Sequence, residues 1–492
     1  MIKPFLLEHP NLRNMISERK IWKKKFGKWF RKVIDEAGIL DYRYPIKGCG
    51  VWLSYGFKLR RNILAIMRRL LDESGHEEML FPLLIPEDLF AKESMHIKGF
   101  EEEAYWVTHG GSTKLSVKMA LRPTSETVIT PMAKFWIRSH ADMPIKVYQI
   151  ASVFRYETKA TKPLIRIREV TTFKEAHTFH ASHEDALKQL HEAIEIYRRF
   201  FDEIGISYVI SQRPEWDRFA GAVSSYAFDT LFPDDRTLQV GTVHDLGQNF
   251  AKAFDVRFET STGQRDYAWQ TSYGISERVI AAVLTLHGDD RGLVLPPNIV
   301  PIQVIVIPIP YKGMEERVNE VCRRIVDKLK GEGIRVELDD RSDLTPGSKF
   351  YEWEMRGVPL RVEVGPRDIE ENRVTFVRRD NCEKSTFKES EVIERAKNLL
   401  VEVQDSLKKR AWEWLNSHIR EAKDFDEAKK LMDSGFGIVK VPWCGKRECG
   451  VEIERKVNAR VLGIPSARER AVGECVFCGH RGEFLVSLAK AY

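Results

Sequence analysis

The stretch from Val153 to His177 constrains the fold more than any other part of the chain. It runs Val153-Phe154-Arg155-Tyr156-Glu157, then a mostly polar loop from Thr158 to Leu164 that contains Lys162-Pro163. Ile165-Arg166-Ile167-Arg168-Glu169 and Phe173-Lys174-Glu175-Ala176-His177 follow. Alternation on both sides of a loop is the pattern of an antiparallel hairpin with a long tip. At period two, Arg155 shares a strand face with Glu157, and Arg166 shares one with Arg168. Arginines gathered beside glutamates on a partly buried strand are costly unless something polyanionic lies there. A nucleoside triphosphate with magnesium would answer both signs of charge. The alternative is a solvated hairpin laced with salt bridges.

The chain has 492 residues, 43% of them hydrophobic, so it can fill several cores and two to four domains are expected. A formal net charge of +6 is compatible with a nucleic-acid partner without requiring one. No long apolar run follows Met1, which reads against a signal peptide. No stretch approaches the roughly 18 consecutive apolar residues of a membrane helix. A soluble, cytoplasmic protein with no membrane partner is the expectation. Cys49, Cys322 and Cys382 are scattered and read as inert thiols. Cys444-x4-Cys449, a gap of 25 residues and Cys475-x2-Cys478 form two close pairs, with Gly445, Gly450 and Gly479 offering tight turns. Inside a cell that spacing points to metal rather than disulfides. Four thiolates make a closed structural zinc site with no open coordination position.

Residues 1–39 read as a basic N-terminal extension. Nine basic residues and one acid, Glu18, lie between Arg13 and Lys32, while Ile21, Trp22, Phe26, Trp29, Phe30, Val33 and Ile34 recur mostly at spacings of three and four. This is an amphipathic basic helix. It could lie on RNA or on a membrane surface, or pack on the main domain with its charged face solvated. Residues 40–297 mix patterns without a linker. Helices are predicted over 59–71, from Ser125 to Ile137, over 184–204 and over 276–286, with a short apolar strand from Met79 to Ile85 broken by Pro82. They read as one α+β domain on an antiparallel sheet. Pro296-Pro297 and Pro301 mark a boundary. After it, strand 302–308, helix 315–330 and strands 335–338, 360–364 and 374–377 suggest an α/β domain over 298–400. Residues 401–492 close the chain, charged and helical to Asp433 and then cysteine-bearing.

Neither a Gly-x-x-x-x-Gly-Lys-Ser/Thr loop nor a strand-linked Gly-x-Gly-x-x-Gly occurs, so a nucleotide would have to be held by side chains on a sheet. A second arginine stands in Gly274-Ile275-Ser276-Glu277-Arg278, at the opening of a helix whose first-turn N–H groups can meet an anion. It precedes Gly288-Asp289-Asp290-Arg291-Gly292-Leu293-Val294-Leu295-Pro296-Pro297. In these residues the chain resembles the class II aminoacyl-tRNA synthetases, and among them the prolyl-tRNA synthetases of archaeal and eukaryotic-cytoplasmic type. The resemblance runs from about Trp29 to Tyr492. It rests also on Arg43-Tyr44-Pro45-Ile46-Lys47-Gly48, on Glu78 to Glu87 (similar to motif 1), on Leu121-Arg122-Pro123-Thr124-Ser125-Glu126 and on His244 to Phe250. The hairpin resembles motif 2 and the Arg278 helix motif 3.

The resemblance implies an antiparallel-sheet class II catalytic domain, an α/β anticodon-binding domain and a small zinc-binding C-terminal α+β domain. It implies ligation of L-proline to tRNA(Pro) through a prolyl-adenylate, with ATP and Mg2+. Arg155 would bridge the proline carboxylate and the α-phosphate, cancelling the repulsion between two anions. Arg166 and Arg278 would take the β- and γ-phosphates, and Glu157 the adenine amino group. Glu169 and Gln239 would lie near magnesium or ribose, with Thr242 and Ser276 as further nucleotide contacts. Thr124 and Glu126 would bind the imino group. Phe173, Glu175, His177, Phe219, His244, Ser272 and Gly274 would wall the ring, although the family often carries Trp where Phe173 stands. His177 or Phe219 could instead be an ordinary core residue.

Bacterial-type relatives carry an editing insertion between motifs 2 and 3, whereas only 94 residues separate His177 from Ser272, so none is expected. In the anticodon-binding domain Arg341, Lys349, Glu352 and Glu354 are candidates to read unstacked bases. Motif 1 implies a homodimer, and Tyr492 matches the family's terminal tyrosine. A non-catalytic RNA-binding paralogue is opposed by the joint presence of Arg155, Glu157, Arg278, Thr124 and Glu126. A class II enzyme for threonine, serine, glycine or histidine is the other alternative. The threonyl type is opposed by cysteines that lie outside the catalytic domain.

Overall fold

The computed structural model describes residues 20–94, 100–466 and 471–492. The chain divides into two compact units, one from Met1–Gly38 with His287–Leu407, the other from Ile39–Leu286 with Lys408–Tyr492. No helix among the described residues is long and apolar enough to cross a membrane.

The larger unit is built on an eleven-stranded sheet. Its centre is the antiparallel series Ser224–Leu231, Arg236–Gly247, Trp269–Ile275, Glu169–His180 and Ile145–Phe154. The helix His183–Glu203 covers one face. Ser182 caps it by accepting from the Asp185 N–H (3.2 Å), and Ala186, Leu190, Ala193, Tyr197, Phe200 and Phe201, at helical spacing, are buried. The Glu169–His180 strand alternates across the sheet. Lys174 points toward that helix, where its ammonium donates to the Tyr197 hydroxyl (2.9 Å) and the Tyr273 carbonyl (3.3 Å), 4.8 Å from each ring centre. Burial pushes the Lys174 pKa far down, with Glu175 opposing. Phe173, Glu175 and His177 therefore face the other way.

Two local expectations are corrected here. The hairpin's ladder ends at Phe154 and resumes at Glu169, so Arg155, Glu157, Arg166 and Arg168 lie in the connection, not on strands. Within it Lys162 and Arg166 form a bridge around Leu164, whose φ is 57°. Arg168 packs on Tyr156 (4.4 Å) while Arg166 turns inward, so period-two parity does not govern these charges. Met79–Ile85 is likewise not one strand. Glu77–Glu78 and Leu84–Pro86 pair with different sheets, and between them the carbonyls of Phe81 and Pro82 accept from Arg122 (2.8 and 3.2 Å). Pro82 has no N–H to give to a ladder, and Arg122 satisfies the carbonyls that the break leaves unpaired.

Glu77–Glu78 and Val209–Gln212 flank that centre, and the remaining strands come from the end of the chain, with Ile438–Trp443, Arg460–Pro465 and Phe484–Ala491 pairing antiparallel. The predicted helical run to Asp433 is interrupted by a strand, Ile419–Glu421, before a helix Phe425–Asp433 capped by Asp424. The 276–286 helix begins at Arg278.

The smaller unit holds a five-stranded sheet in the order Val336–Leu338, Val304–Pro308, Leu360–Val364, Arg373–Arg378, Lys384–Lys388. Its first three strands are parallel, as the predicted strand–helix–strand order demands. Val304, Val306 and Val362 share a core with Val318, Ile325 and Leu329 of the helix Glu315–Gly331. The amphipathic N-terminal segment is described from Lys20. It forms two helices, Lys20–Lys24 and Phe26–Glu36, with Trp22, Phe26, Trp29 and Phe30 buried, while residues 13–19 lie outside the described residues.

Candidate active site

On the sheet face opposite the helix His183–Glu203 lies a cavity of about 300 Å3. Four elements supply its acidic end and its middle. Glu175 and His177 stand opposite Gly274 and Ser272 in register, so one row crosses two strands. Thr242 and His244 extend that row on the next strand. A bulge at Val240 shifts the parity of this strand, because Phe228 faces Gly241 while Asp229 faces Gln239. Gln239 thereby joins Thr242 and His244 in the lining. The fourth element is the segment from Thr124 to Glu126, which opens the helix Glu126–Trp136.

One end of the cavity is acidic. Glu126 and Glu175 are both buried, and the Thr124 hydroxyl lies within hydrogen-bond distance of each, 3.0 Å from Glu175 Oε1 and very close to Glu126. One hydroxyl proton cannot serve two carboxylates. Glu175 also accepts from the Ser125 N–H (3.2 Å) and the Gln149 amide (3.4 Å). Burial pushes both carboxyls above their ordinary 4.5, and for Glu175 the Glu126 charge adds to it. Two such groups call for a cation with N–H donors.

The other end is cationic. Arg155, Arg166 and Arg278 all line the cavity. Arg155 is steadied by donating from Nε to the Pro123 carbonyl (3.1 Å), with its guanidinium 5.4 Å from the centre of the Phe173 ring. Arg278 donates from Nε to the Ile165 carbonyl (3.1 Å). Burial, and then the Arg155 charge, bring its pKa down to about 10. Convergent guanidiniums of this kind are the usual receptor for phosphates and carboxylates.

Between the two ends the walls are neutral. Burial lowers the pKa of His177 to about 4 and that of His244 to about 3, so both rings are uncharged near neutrality. His244 shares a hydrogen bond with the Ser225 hydroxyl (2.8 Å), and its ring lies 4.8 Å from Phe219. His177 is 1% exposed, and neither of its ring nitrogens has a protein partner. Gly274 brings no side chain to the floor, where a Cβ would make only ordinary contact with the Lys174 carbonyl (3.4 Å) and the Phe173 ring (3.8 Å).

The structure thus gathers Thr124, Glu126, Arg155, Glu157, Arg166, Phe173, Glu175, His177, Phe219, Gln239, Thr242, His244, Ser272, Gly274, Ser276 and Arg278 around one space. Glu169 is a correction. It begins its strand opposite Phe154, beside Cys49, and does not line the cavity. Arg213 and Glu277 also line the cavity, though the sequence assigns neither a role. Arg213 donates to Gln239 (3.0 Å), Asp229 (2.9 Å) and the Leu462 carbonyl (2.6 Å), holding the Gln239 amide in place. Glu277 is buried and accepts from the Thr171 hydroxyl (2.9 Å) and the Thr172 N–H (2.6 Å), tying the start of the Arg278 helix to the neighbouring strand.

In the other unit the four base-reading candidates do not form one exposed set. Arg341 bonds to the buried Asp339 and to Glu352 (2.8 Å), Arg341 and Glu352 being partly accessible, while Glu354 pairs with Arg361 (3.0 Å). Lys349 is corrected, because it is 3% exposed and its ammonium donates to the Asp339 carbonyl (2.9 Å). It is a strut under the Arg341 loop.

The sulfurs of Cys444, Cys449, Cys475 and Cys478 all lie within 4.8 Å of one another, with Cys444 and Cys478 3.7 Å apart. Tetrahedral zinc at a Zn–S distance of about 2.3 Å sets sulfurs about 3.8 Å apart, so the cluster fits zinc. Gly445 (φ 79°) and Gly479 (φ 71°) make the expected turns. Gly450 does not. It lies in the helix Arg447–Val457, where a Cβ would meet the Trp216 ring at 2.1 Å. Tyr492 closes the last strand, its hydroxyl donating to Asp234 (2.6 Å) and its ring 4.4 Å from the Lys162 ammonium.

Comparison with known proteins bears on this site. Residues 105–287 match the tRNA synthetase class II core domain (G, H, P, S and T), residues 303–399 an anticodon binding domain, and residues 425–492 the C-terminal domain of prolyl-tRNA synthetase. A proline--tRNA ligase of Saccharolobus islandicus is 53% identical over 477 residues, 96% of this chain and 99% of that relative. One from Methanothermobacter thermautotrophicus is 52% identical over 455 residues, 92% of this chain and 93% of that relative. The solved structure of Giardia lamblia prolyl-tRNA synthetase in complex with prolyl-adenylate superposes with a TM-score of 0.93 at 35% identity, covering 97% of this chain and 99% of that one. That of the Cryptosporidium parvum synthetase with halofuginone and AMPPNP gives 0.91 at 33% identity, covering 96% and 98%. The chain belongs to the proline--tRNA ligase family of class II aminoacyl-tRNA synthetases.

Proposed function

We propose that this enzyme makes prolyl-tRNA in two steps, first joining L-proline to ATP as prolyl-adenylate with release of pyrophosphate, then passing the prolyl group to the terminal adenosine of tRNA(Pro). The observation that carries the reading is the polarity of one cavity, two buried carboxylates at one end and three arginines at the other. Proline has a secondary ammonium and a carboxylate a few ångströms apart, and ATP continues the anionic line. The ammonium lies between Glu126 and Glu175, with the Thr124 hydroxyl free to donate to one of them. The ring rests against Phe173, Gly274 and the neutral faces of His177 and His244. Arg155 holds the substrate carboxylate against the α-phosphate, so two anions meet without repulsion and in line. Arg166 and Arg278 take the outer phosphates, Glu157 the adenine amino group, and Ser276, Thr242 and the Arg213-held Gln239 the remaining nucleotide contacts. No side chain acts as a covalent nucleophile.

Magnesium arriving with the triphosphate would supply charge neutralisation and a template, with Gln239 the lining residue expected beside it. The four clustered cysteines hold a structural zinc. The 94 residues between His177 and Ser272 hold the covering helix, the short helix Asn249–Ala253 and five strands of the unit, which supports an enzyme without an inserted editing domain in this interval. Met79, Leu80, Leu83 and Leu84 expose apolar side chains, Leu80 to 81%, which supports a homodimer through the motif 1 region. Proline-dependent ATP–pyrophosphate exchange tests the reading. Exchange driven by threonine or serine and not by proline would overturn it, and Arg155→Ala should abolish exchange while leaving the fold intact.

A further inference from the structure

The helices Lys20–Lys24 and Phe26–Glu36 carry a charge pattern that adenylate chemistry does not use. Lys23, Lys24, Lys25, Lys28, Arg31 and Lys32 are all exposed, and no carboxylate interrupts that run in sequence. Lys25 joins the two helices, and on the second the helical rise from Lys28 to Lys32 spans about 6 Å. The stripe ends at the last turn, where Lys32 lies 3.8 Å from Glu36.

The opposite face is fully committed. Trp22, Phe26, Trp29, Phe30, Val33 and Ile34 are buried in the unit that also contains residues 287–407. Trp29 Nε1 donates to the Asp289 carbonyl (2.7 Å), and the Trp22 N–H to Asp290 (2.9 Å). A Cβ on Gly288 would fall 2.4 Å from the Trp29 ring, so the indole lies directly on backbone. Asp289 is itself clamped by the buried Arg379 through two bonds (2.6 and 2.7 Å). The cations therefore stand on a rigid mount, not on a loose tail. Beside them, Lys32 approaches the Tyr351 hydroxyl (3.5 Å) on the helix Pro346–Arg356, which also carries Glu352, the partner of Arg341.

A helix that binds lipid must bury its apolar face in the membrane, and here that face is already occupied by protein. Ordered cations without an available apolar face suit a partner recognised by charge alone. We propose that this stripe extends the RNA-binding surface of the anticodon-binding domain, gripping phosphates of the tRNA stem next to the anticodon loop. The proposal rests on the reading of the chain as a tRNA ligase.

The test uses the full chain with Lys24→Gln, Lys25→Gln and Lys28→Gln combined. Binding of tRNA(Pro) is followed as a function of KCl concentration. The expected result is affinity roughly tenfold weaker at low salt, with the log–log salt slope reduced by about 2 to 3. Proline-dependent exchange without tRNA should be unchanged, and the corresponding Lys→Arg triple variant should keep the parent slope. A Gln variant with the parent's affinity and slope overturns the stripe alone. Binding of the parent to phosphatidylserine vesicles that the Gln variant loses, with tRNA binding intact, replaces RNA by lipid. A parent with neither exchange nor tRNA binding removes the ligase reading and the stripe together.

Discussion

Glu126→Gln tests the substrate end of the cavity most directly, because it deletes one charge and almost no volume. Glu126 and Glu175 are both buried and compete for one Thr124 hydroxyl. A unit cation at about 4 Å from a carboxylate gains about 4 kcal/mol at an effective dielectric constant of 20. Removing one partner of a buried charge pair costs about 3–5 kcal/mol. With Glu175 still present to meet the ammonium, the loss should fall near the lower figure, about 3 kcal/mol, or roughly two decades in the KM for proline. The KM for ATP should change little, since the arginines are untouched. Stability should respond with the opposite sign. Both carboxyls are raised above 4.5 in the folded protein, so their ionisation opposes folding. That stability is present at pH below 4.5, falls as pH rises through the raised folded values, and is flat above them. Glu126→Gln removes Glu126's share, so the unliganded variant should melt no lower than the parent at neutral pH. Proline affinity in the parent should rise across the window in which stability falls. Pyrophosphate exchange at varied proline and ATP, with calorimetry on the unliganded proteins, reads all of these. An unchanged proline KM, or a variant that melts markedly lower, would refute the assignment of the acidic pair.

Two further outcomes are expected elsewhere. Elemental analysis should return about one zinc ion per chain, and either chelation or Cys478→Ser should loosen residues 438–492 first, seen as faster amide exchange there than in the strands around Glu175. Leu80→Asp should convert a dimer to a monomer in sedimentation, since it puts a carboxylate in the middle of an exposed apolar group, and a parent that is monomeric at micromolar concentration would contradict the dimer.

The parts legible in the sequence were those written in local periodicity and spacing. The helix His183–Glu203 was one residue from its predicted start because the spacing of its apolar positions is a local signal. The parallel strands of the smaller unit followed from their order with the intervening helix. The cysteine spacing anticipated a cluster that does converge. Less was legible where one residue's position depends on another element. The bulge at Val240 decides that Gln239 faces the cavity, and a bulge is a property of two paired strands. Glu169 was expected near the nucleotide, but the ladder begins with it and turns it toward Cys49. Lys349 looked like a surface cation in a basic segment, whereas packing on Asp339 buries it.

The sequence by itself determined which chemistry the chain can perform, because the residue types are those that a zwitterion and a polyphosphate require, and it determined the order in which they occur. Only the tertiary structure decided their grouping. Thr124 lies 51 residues from Glu175, yet the two share a hydrogen bond because a helix start is packed against a strand. Arg213 supports Gln239 from just past the end of Val209–Gln212, a strand two places away in the sheet. The physical reason is that electrostatic strength depends on distance and burial, which strand register and packing set. The same carboxylates and guanidiniums spread along an unfolded chain would be solvated and ordinary.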